Sequence, residues 1–85
     1  MNPYTVDWTD DAIDELTNIW MQAADPDDVT AAQSTIDTLL SRAPLHHGTE
    51  ESEGLRRLVV PPLRVLYSVD QARRYVEVSS VKRTS

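Results

Sequence analysis

The spacing of apolar residues changes once along this chain, at Gly54. Before Gly54, apolar residues recur every three or four positions, as on the buried side of a helix; after it they alternate with polar residues, as in a half-buried strand. A chain of 85 residues buries only about 60 to 65% of the surface that it exposes when unfolded. The two halves therefore have to share one thin core, and we expect residues 1–85 to form a single domain.

The chain begins with a predicted strand and a predicted helix. Residues 4–8 alternate apolar with polar positions and are rich in aromatic and β-branched side chains, which is typical of a short strand. Helical spacing then predicts a helix over 10–24, with Thr9 or Asp10 as its N-cap. Trp20 lies on the apolar side of this helix, and we expect it to be a core anchor.

A second helix is predicted over 26–43. Asp25 is suited to cap it, Pro26 fits the first helical position, and Pro44 ends it. With so short a link, the two helices should form an antiparallel hairpin that buries its apolar side on another element.

The polar segment 45–53 is expected to be a mobile, solvated loop. It holds adjacent histidines, His46 and His47, beside acidic residues. Neighbouring loop residues rarely converge on one ion, so we expect neither a metal site nor a cofactor.

Three strands are predicted after Gly54, over 55–60, 63–69 and 74–83. Together with the first strand and the helices they give the order β-α-α-β-β-β. The predicted fold is α+β, with the helical hairpin packed on one face of a mainly antiparallel sheet.

The two halves of the chain also differ sharply in charge. Residues 1–53 carry twelve carboxylates and one arginine, a balance of −11, whereas residues 54–85 carry seven cations and two carboxylates, a balance of +5. A basic half favours an anionic partner. The chain contains no cysteine and no apolar run long enough to cross a membrane, so we expect a cytoplasmic protein without a membrane partner.

The alternation of side chains along a strand predicts which face of the sheet each basic residue occupies. Matching Val65 with Val78 across the last two strands sends Arg64 opposite Ser79 and Leu66 opposite Glu77. Arg57, Arg64 and Arg83, with Val81, are then expected on the face that the helices leave open. The candidate contacts for an RNA phosphate are Arg57, Arg64, Tyr75, Lys82 and Arg83, with Tyr75 as a stacking surface.

An ordinary solvated face remains the alternative, with the arginines paired to Glu77 and to loop carboxylates. Arg56 falls on the inward phase and Arg73 and Arg74 fall at a hairpin tip, so solvent anchoring or partner contact is expected there. Tyr67 is expected to be a core residue with its hydroxyl at the rim.

In its order of segments the chain resembles the RelE/ParE superfamily of bacterial type II toxins. The resemblance covers nearly all 85 residues. It rests on Tyr4-x-Val6-x-Trp8, on Ala12, Leu16 and Ile19-Trp20, on Ile36, Leu39 and Pro44, on Arg57, on the run from Pro62 to Asp70, and on Val76-x-Val78-x-x-Val81-Lys82-Arg83.

For RelE-like members the resemblance implies a metal-independent, ribosome-dependent mRNA endonuclease whose cations stabilise the developing negative charge. It assigns catalytic positions to Arg64, Arg83 and Arg57, and Arg57 lies where the family often has a lysine. Leu55 lies where those endonucleases have a second basic residue, and no residue up to Ser85 matches their C-terminal tyrosine.

The resemblance leaves three functions open. The first is the mRNA endonuclease, which acts on ribosomes. The second is a ParE-like toxin that binds DNA gyrase without nuclease activity, and the third is a catalytically degenerate binding module. All three imply a cognate antitoxin as partner, and the resemblance also associates the chain with plasmid stabilisation.

Overall fold

The computed structural model describes residues 3–84. It contains two helices and five strands, and the strands form one sheet in the order β1-β5-β4-β3-β2. The elements are β1 Thr5–Trp8, α1 Asp10–Gln22, α2 Pro26–Arg42, β2 Thr49–Ser52, β3 Leu55–Val60, β4 Leu63–Asp70 and β5 Tyr75–Arg83. Strand β1 runs parallel to β5, and the other pairs are antiparallel. The predicted α+β fold is confirmed.

Both helices begin where the sequence predicts. The Thr9 hydroxyl accepts a hydrogen bond from the backbone N–H of Ala12 at 3.1 Å, and the Asp25 carboxylate accepts one from Asp27 at 3.1 Å. Pro26 occupies the first position of α2. These caps satisfy N–H groups that lack a partner inside the helix, and the Asp25 cap also fixes the short turn between α1 and α2.

The core lies between the helical hairpin and one face of the sheet. The indole Nε1 of Trp8 donates to Asp37 on α2 at 2.7 Å, which ties β1 to that helix. No helix in the described range 3–84 is long and apolar enough to cross a bilayer. The buried apolar side chains are Ala12, Val29, Ala32, Ile36, Leu40, Leu58, Leu63, Val65, Tyr67, Val76, Val78 and Val81.

Strand β2 lies inside the segment that was predicted to be a loop. All four of its residues are exposed, and it pairs with β3 at the edge of the sheet. A strand with neither side buried has no apolar alternation, so its sequence gives no periodic signal. Charged residues such as Glu50 and Glu51 are typical of an edge strand.

The prediction of a mobile segment before β2 is wrong, because its backbone is tied to the core. The buried Tyr67 hydroxyl lies 2.8 Å from the Pro44 carbonyl and 2.9 Å from the His47 carbonyl. Arg56 donates to the His47 carbonyl at 3.1 Å. Tyr67 is therefore the expected core residue, but its hydroxyl is buried beneath the turn and does not lie at the rim, and Arg56 anchors that turn.

The predicted match of Val65 with Val78 is wrong, because Val78 lies opposite Tyr67, two residues along β4, and a bulge in β5 shifts the register by one further residue. Leu66 lies opposite Ser80 and Tyr67 lies opposite Val78, which leaves Ser79 without a counterpart. An extra residue reverses the alternation beyond it. Val81 is consequently buried and faces the helices, and its predicted position on the open face is wrong.

Trp20 is not the core anchor that its spacing predicted. It is 46% exposed, and Ile13 and Met21 on the same helix are exposed as well. Helix α1 packs on the core through Ala12 and Leu16. Trp20 lies about 40° around the helix from Leu16. It is therefore at the edge of the apolar stripe, where the core covers only about half of its side chain.

Candidate functional site

Three cations gather on the sheet face that the helices leave open. Arg57 on β3, Arg64 on β4 and Lys82 on β5 line a cavity of about 200 Å³. The other lining residues are Glu51, Leu66 and Ser80.

The strand pairing explains why these side chains share one face. Arg57 lies opposite Leu66, and Arg64 is two residues from Leu66 on the same strand. Arg57 and Arg64 are therefore diagonal neighbours, as predicted, with Cα atoms about 7 to 8 Å apart. Lys82 lies directly opposite Arg64, where Cβ atoms are about 5 Å apart.

Arg83 does not belong to this group, and its predicted place on the open face is wrong. It lies opposite Leu63, which is fully buried on the helical side of the sheet. Arg83 lines two cavities beside α1, which it shares with Ile19. The bulge at Ser79 causes this exchange, since it sends Lys82 rather than Arg83 to the open face.

Tyr75 is too far away to act as a stacking surface beside the arginines. It pairs with Asp70, six residues along β4 from Arg64, a separation of about 20 Å. Its hydroxyl donates to the Asp7 carboxylate at 2.9 Å. That hydrogen bond raises the pKa of Tyr75 above its ordinary value of 10.0.

Arg57 forms an ion pair at the cavity with a carboxylate of the segment 45–53, one of the partners expected for a solvated face, and not with Glu77. The Arg57 Nε lies 3.7 Å from a Glu51 carboxylate oxygen. Glu77, the other expected partner, lies opposite Ser68, farther along the sheet. Sequence phase could not place Glu51 because β2 carries no alternation.

Lys82 forms a second ion pair, with Glu15 on α1. The same carboxylate accepts a hydrogen bond from the backbone N–H of Val81 at 3.3 Å. The Lys82 ammonium lowers the pKa of Glu15 below its ordinary 4.5, and the Val81 N–H acts in the same direction against the opposing effect of burial. Glu15 thus covers the part of the β5 edge that β1 leaves unpaired.

Arg56 and Arg74, two basic residues outside the cavity, have structural contacts. Besides the role of Arg56 in its turn, the Arg74 guanidinium lies 4.8 Å from the centre of the Tyr4 ring, within range of a cation–π interaction. Among residues 3–84, no group of three or more His, Asp or Glu side chains is placed to hold a metal ion.

The arrangement suits the binding of a phosphate. Two arginines and a lysine line one small cavity, with the Lys82 ammonium held by Glu15 at the edge of the sheet, and arginine matches phosphate oxygens with two parallel N–H donors. Fixed cations of this kind also stabilise negative charge that develops during phosphoryl chemistry. The rest of the cavity supplies a hydroxyl, Ser80, and an apolar wall, Leu66.

Comparison with solved structures identifies the fold. The chain superposes on a component of the RelBE2 toxin-antitoxin complex from Mycobacterium tuberculosis with a TM-score of 0.80 and 28% identity, covering 98% of this chain and 93% of that one. The chromosomal ParDE system of P. aeruginosa gives a TM-score of 0.71 at 18% identity, over 96% and 97% of the two chains. The isolated E. coli RelE toxin gives 0.68 at 15%, over 96% and 85%.

The fold is therefore that of the RelE/ParE toxins, as the sequence resemblance indicated. No protein-family model and no curated protein sequence matches the chain.

Proposed function

We propose that this chain is the toxin of a type II toxin-antitoxin pair and that it cleaves mRNA on the ribosome without a metal ion. The observation that carries the proposal is the convergence of Arg57, Arg64 and Lys82 on one cavity of the open sheet face. The 28% identity to a component of the M. tuberculosis RelBE2 complex, over nearly the whole chain, supports the toxin assignment.

The cavity residues would act on the phosphate through charge. In metal-independent RNA cleavage, the 2′-hydroxyl loses its proton and attacks the adjacent phosphorus. The bond from phosphorus to the 5′ oxygen of the next nucleotide breaks, and that oxygen gains a proton. Negative charge builds on the non-bridging oxygens meanwhile, and Arg64, between Arg57 and Lys82, is placed to stabilise it. The catalytic role carried over to Arg83 is not part of this proposal, because Arg83 faces α1.

The partner that restrains such a toxin would be its antitoxin. An antitoxin segment with acidic residues would fit the cation cavity by charge complementarity, and it would exclude RNA from the same surface. Coexpression with the neighbouring reading frame tests this part: a stable complex and relief of growth arrest are expected, and a neighbouring protein that neither binds nor protects would contradict it.

The cleavage proposal is tested by inducing the chain in translating cells and mapping the ends of cellular messages. We expect cuts at the ribosomal A site. Arg64→Ala should reduce them by about 100-fold or more, the usual effect of losing one charge-stabilising group. Arg73→Ala is the matched control, because Arg73 is exposed at the β4–β5 turn and the charge change is the same.

Intact messages would contradict the cleavage proposal. If they accompany a DNA damage response, the chain acts as a ParE-like gyrase poison instead. If neither effect appears, the chain is a binding module. Equal loss of cutting in Arg64→Ala and Arg73→Ala would contradict the assignment of the cavity.

A further inference from the structure

We infer that the cation cavity carries its own counter-ions, Glu15 and Glu51, and that a phosphate ligand has to displace them in order to bind. This inference rests on the proposed role of the cavity in phosphate binding, and it adds a determinant of affinity and ligand choice. Glu15 acts by holding Lys82, and Glu51 acts by holding Arg57.

Lys82 is shared between two sites. It lines the cavity with Arg57 and Arg64 on the open face, and it also lines a cavity of about 380 Å³ beside α1 that includes Glu15. Its ammonium contacts the Glu15 carboxylate, so it is directed towards the edge of the sheet. A lysine side chain has a flexible four-carbon stem, and a ligand can draw its ammonium back over the face.

Glu15 is held in place independently of Lys82. Its carboxylate accepts from the Val81 backbone N–H on the uncovered edge of β5, and its side chain is only 27% exposed. A fixed acceptor restrains the mobile cation more effectively than a second mobile side chain, because less conformational entropy is lost when the pair forms. Glu15 is therefore a positioning residue for Lys82.

Glu51 acts from the other end of the cavity. It is the carboxylate that lines the cavity, and it lies 3.7 Å from the Arg57 guanidinium. Both side chains are about two-fifths exposed, at 43% and 40%, so the pair is open to exchange with a ligand. The tight turn of two residues between β2 and β3, 53–54, keeps Glu51 beside Arg57.

Tethered counter-ions discriminate between ligands. A carboxylate on the same chain competes at an effective concentration in the millimolar range or above, which a single small anion at low concentration does not match. A single-stranded nucleic acid presents several phosphates together and can displace both carboxylates at once. The cavity is accordingly expected to prefer an RNA backbone to inorganic phosphate.

The test is a binding titration with two probes, a fluorescent single-stranded RNA of about eight nucleotides and inorganic phosphate, at fixed salt. Glu15→Gln and Glu51→Gln should each tighten RNA binding about two- to fivefold, the range that corresponds to one exposed ion pair. Both should also bring phosphate binding into a measurable range. The Glu15→Gln side chain still offers an oxygen to the Val81 N–H, and an unchanged far-ultraviolet circular dichroism spectrum would show that the fold is kept.

Asp14→Asn is the matched control, because Asp14 is exposed, precedes Glu15 on α1, and its loss changes the net charge equally. A gain in this control as large as in Glu15→Gln and Glu51→Gln would overturn the inference. A gain from Glu15→Gln that disappears in the Lys82→Ala background would support it, and one that persists there would overturn the role of Glu15.

Failure of the proposed function gives a different result. If Arg64→Ala binds RNA as tightly as the unmodified chain, the cavity is not the phosphate site, whatever the glutamine variants do. If Arg64→Ala weakens binding and both glutamine variants match Asp14→Asn, the cavity binds phosphate but Glu15 and Glu51 do not compete with the ligand. Only the inference about counter-ions is then wrong.

Discussion

Arg64 on β4 lies directly opposite Lys82 on β5, on the face of the sheet that the helices leave open. Sequence phase placed Arg83 on that face instead, and the two cations differ by one position. One extra residue at Ser79 therefore determines which cation faces a ligand. It also determines which side chain fills the core, since Val81 points inward as Lys82 points outward.

Removal of Lys82 and removal of Arg83 should affect RNA binding differently. Affinity for a single-stranded nucleic acid falls as salt concentration rises. Each cation that contacts a phosphate adds about 0.7 to the magnitude of the slope of log affinity against log salt concentration. Lys82→Ala should lower that slope by about this amount, and Arg83→Ala, on the α1 side, should leave it unchanged. The measurement is a set of RNA titrations between about 50 and 200 mM salt. A larger loss of slope in Arg83→Ala would contradict the assignment of faces.

The fold could be predicted from the sequence because its signals are local and repeated. The caps at Thr9 and Asp25, the helical stripes and the alternation in β3 and β4 each specify their own element. These signals also agree with one another, since the apolar sides all point to one shared core. The diagonal placement of Arg57 and Arg64 followed from the same alternation, and that geometric prediction is confirmed.

The remainder of the site depends on irregularities that alternation does not encode. A bulge selects one of two possible registers for a strand. Without the bulge the helices would cover Val78 alone, and with it they cover both Val78 and Val81. Glu51 lies on an edge strand with both sides in solvent, so no apolar residue marked it. Glu15 meets Lys82 only because α1 lies along the uncovered edge of β5.

The bulge can be tested by comparing two identical substitutions on β5 and β3. Val81 is fully buried and Val59 is 49% exposed. Val81→Ala should lower the free energy of unfolding by about 2 kcal/mol, from lost burial and the cavity that remains. Val59→Ala should cost less than about 1 kcal/mol. Urea denaturation measures both, and equal costs would indicate the unbulged register.

The two glycines provide a matched pair for the turn before β2. Both have positive φ, +74° at Gly48 and +77° at Gly54. A Cβ on Gly48 would collide with the Arg57 carbonyl and lie 2.9 Å from the Tyr67 hydroxyl, whereas a Cβ on Gly54 would meet nothing within 4 Å.

Gly54→Ala should therefore cost only the backbone term of about 1 to 2 kcal/mol. Gly48→Ala should cost more, because the anchored turn has to move as well. Thermal or urea unfolding compares them. If Gly48→Ala is the milder of the two changes, the turn is not packed against Tyr67 as described.

The contact between Glu15 and Lys82 should make stability depend on pH in a defined direction. The pKa of Glu15 is lower in the folded chain than its ordinary 4.5, so the folded state favours the ionised carboxylate. The stabilisation is then complete above about pH 4.5 and is lost as the pH falls through the lowered pKa. For a partly exposed pair, the effect should not exceed about 1 kcal/mol.

Comparison of the unmodified chain with Glu15→Gln isolates this effect. The unmodified chain should be the more stable at pH 7, and the gap should shrink below about pH 4.5 because protonation gives Glu15 the same neutral state as glutamine. Asp14→Asn should differ from the unmodified chain by less than about 0.5 kcal/mol at either pH. A gap that stays constant down to pH 3 would show that the difference in stability between the two side chains does not come from ionisation of Glu15. Its charge on Lys82 would then contribute nothing to stability.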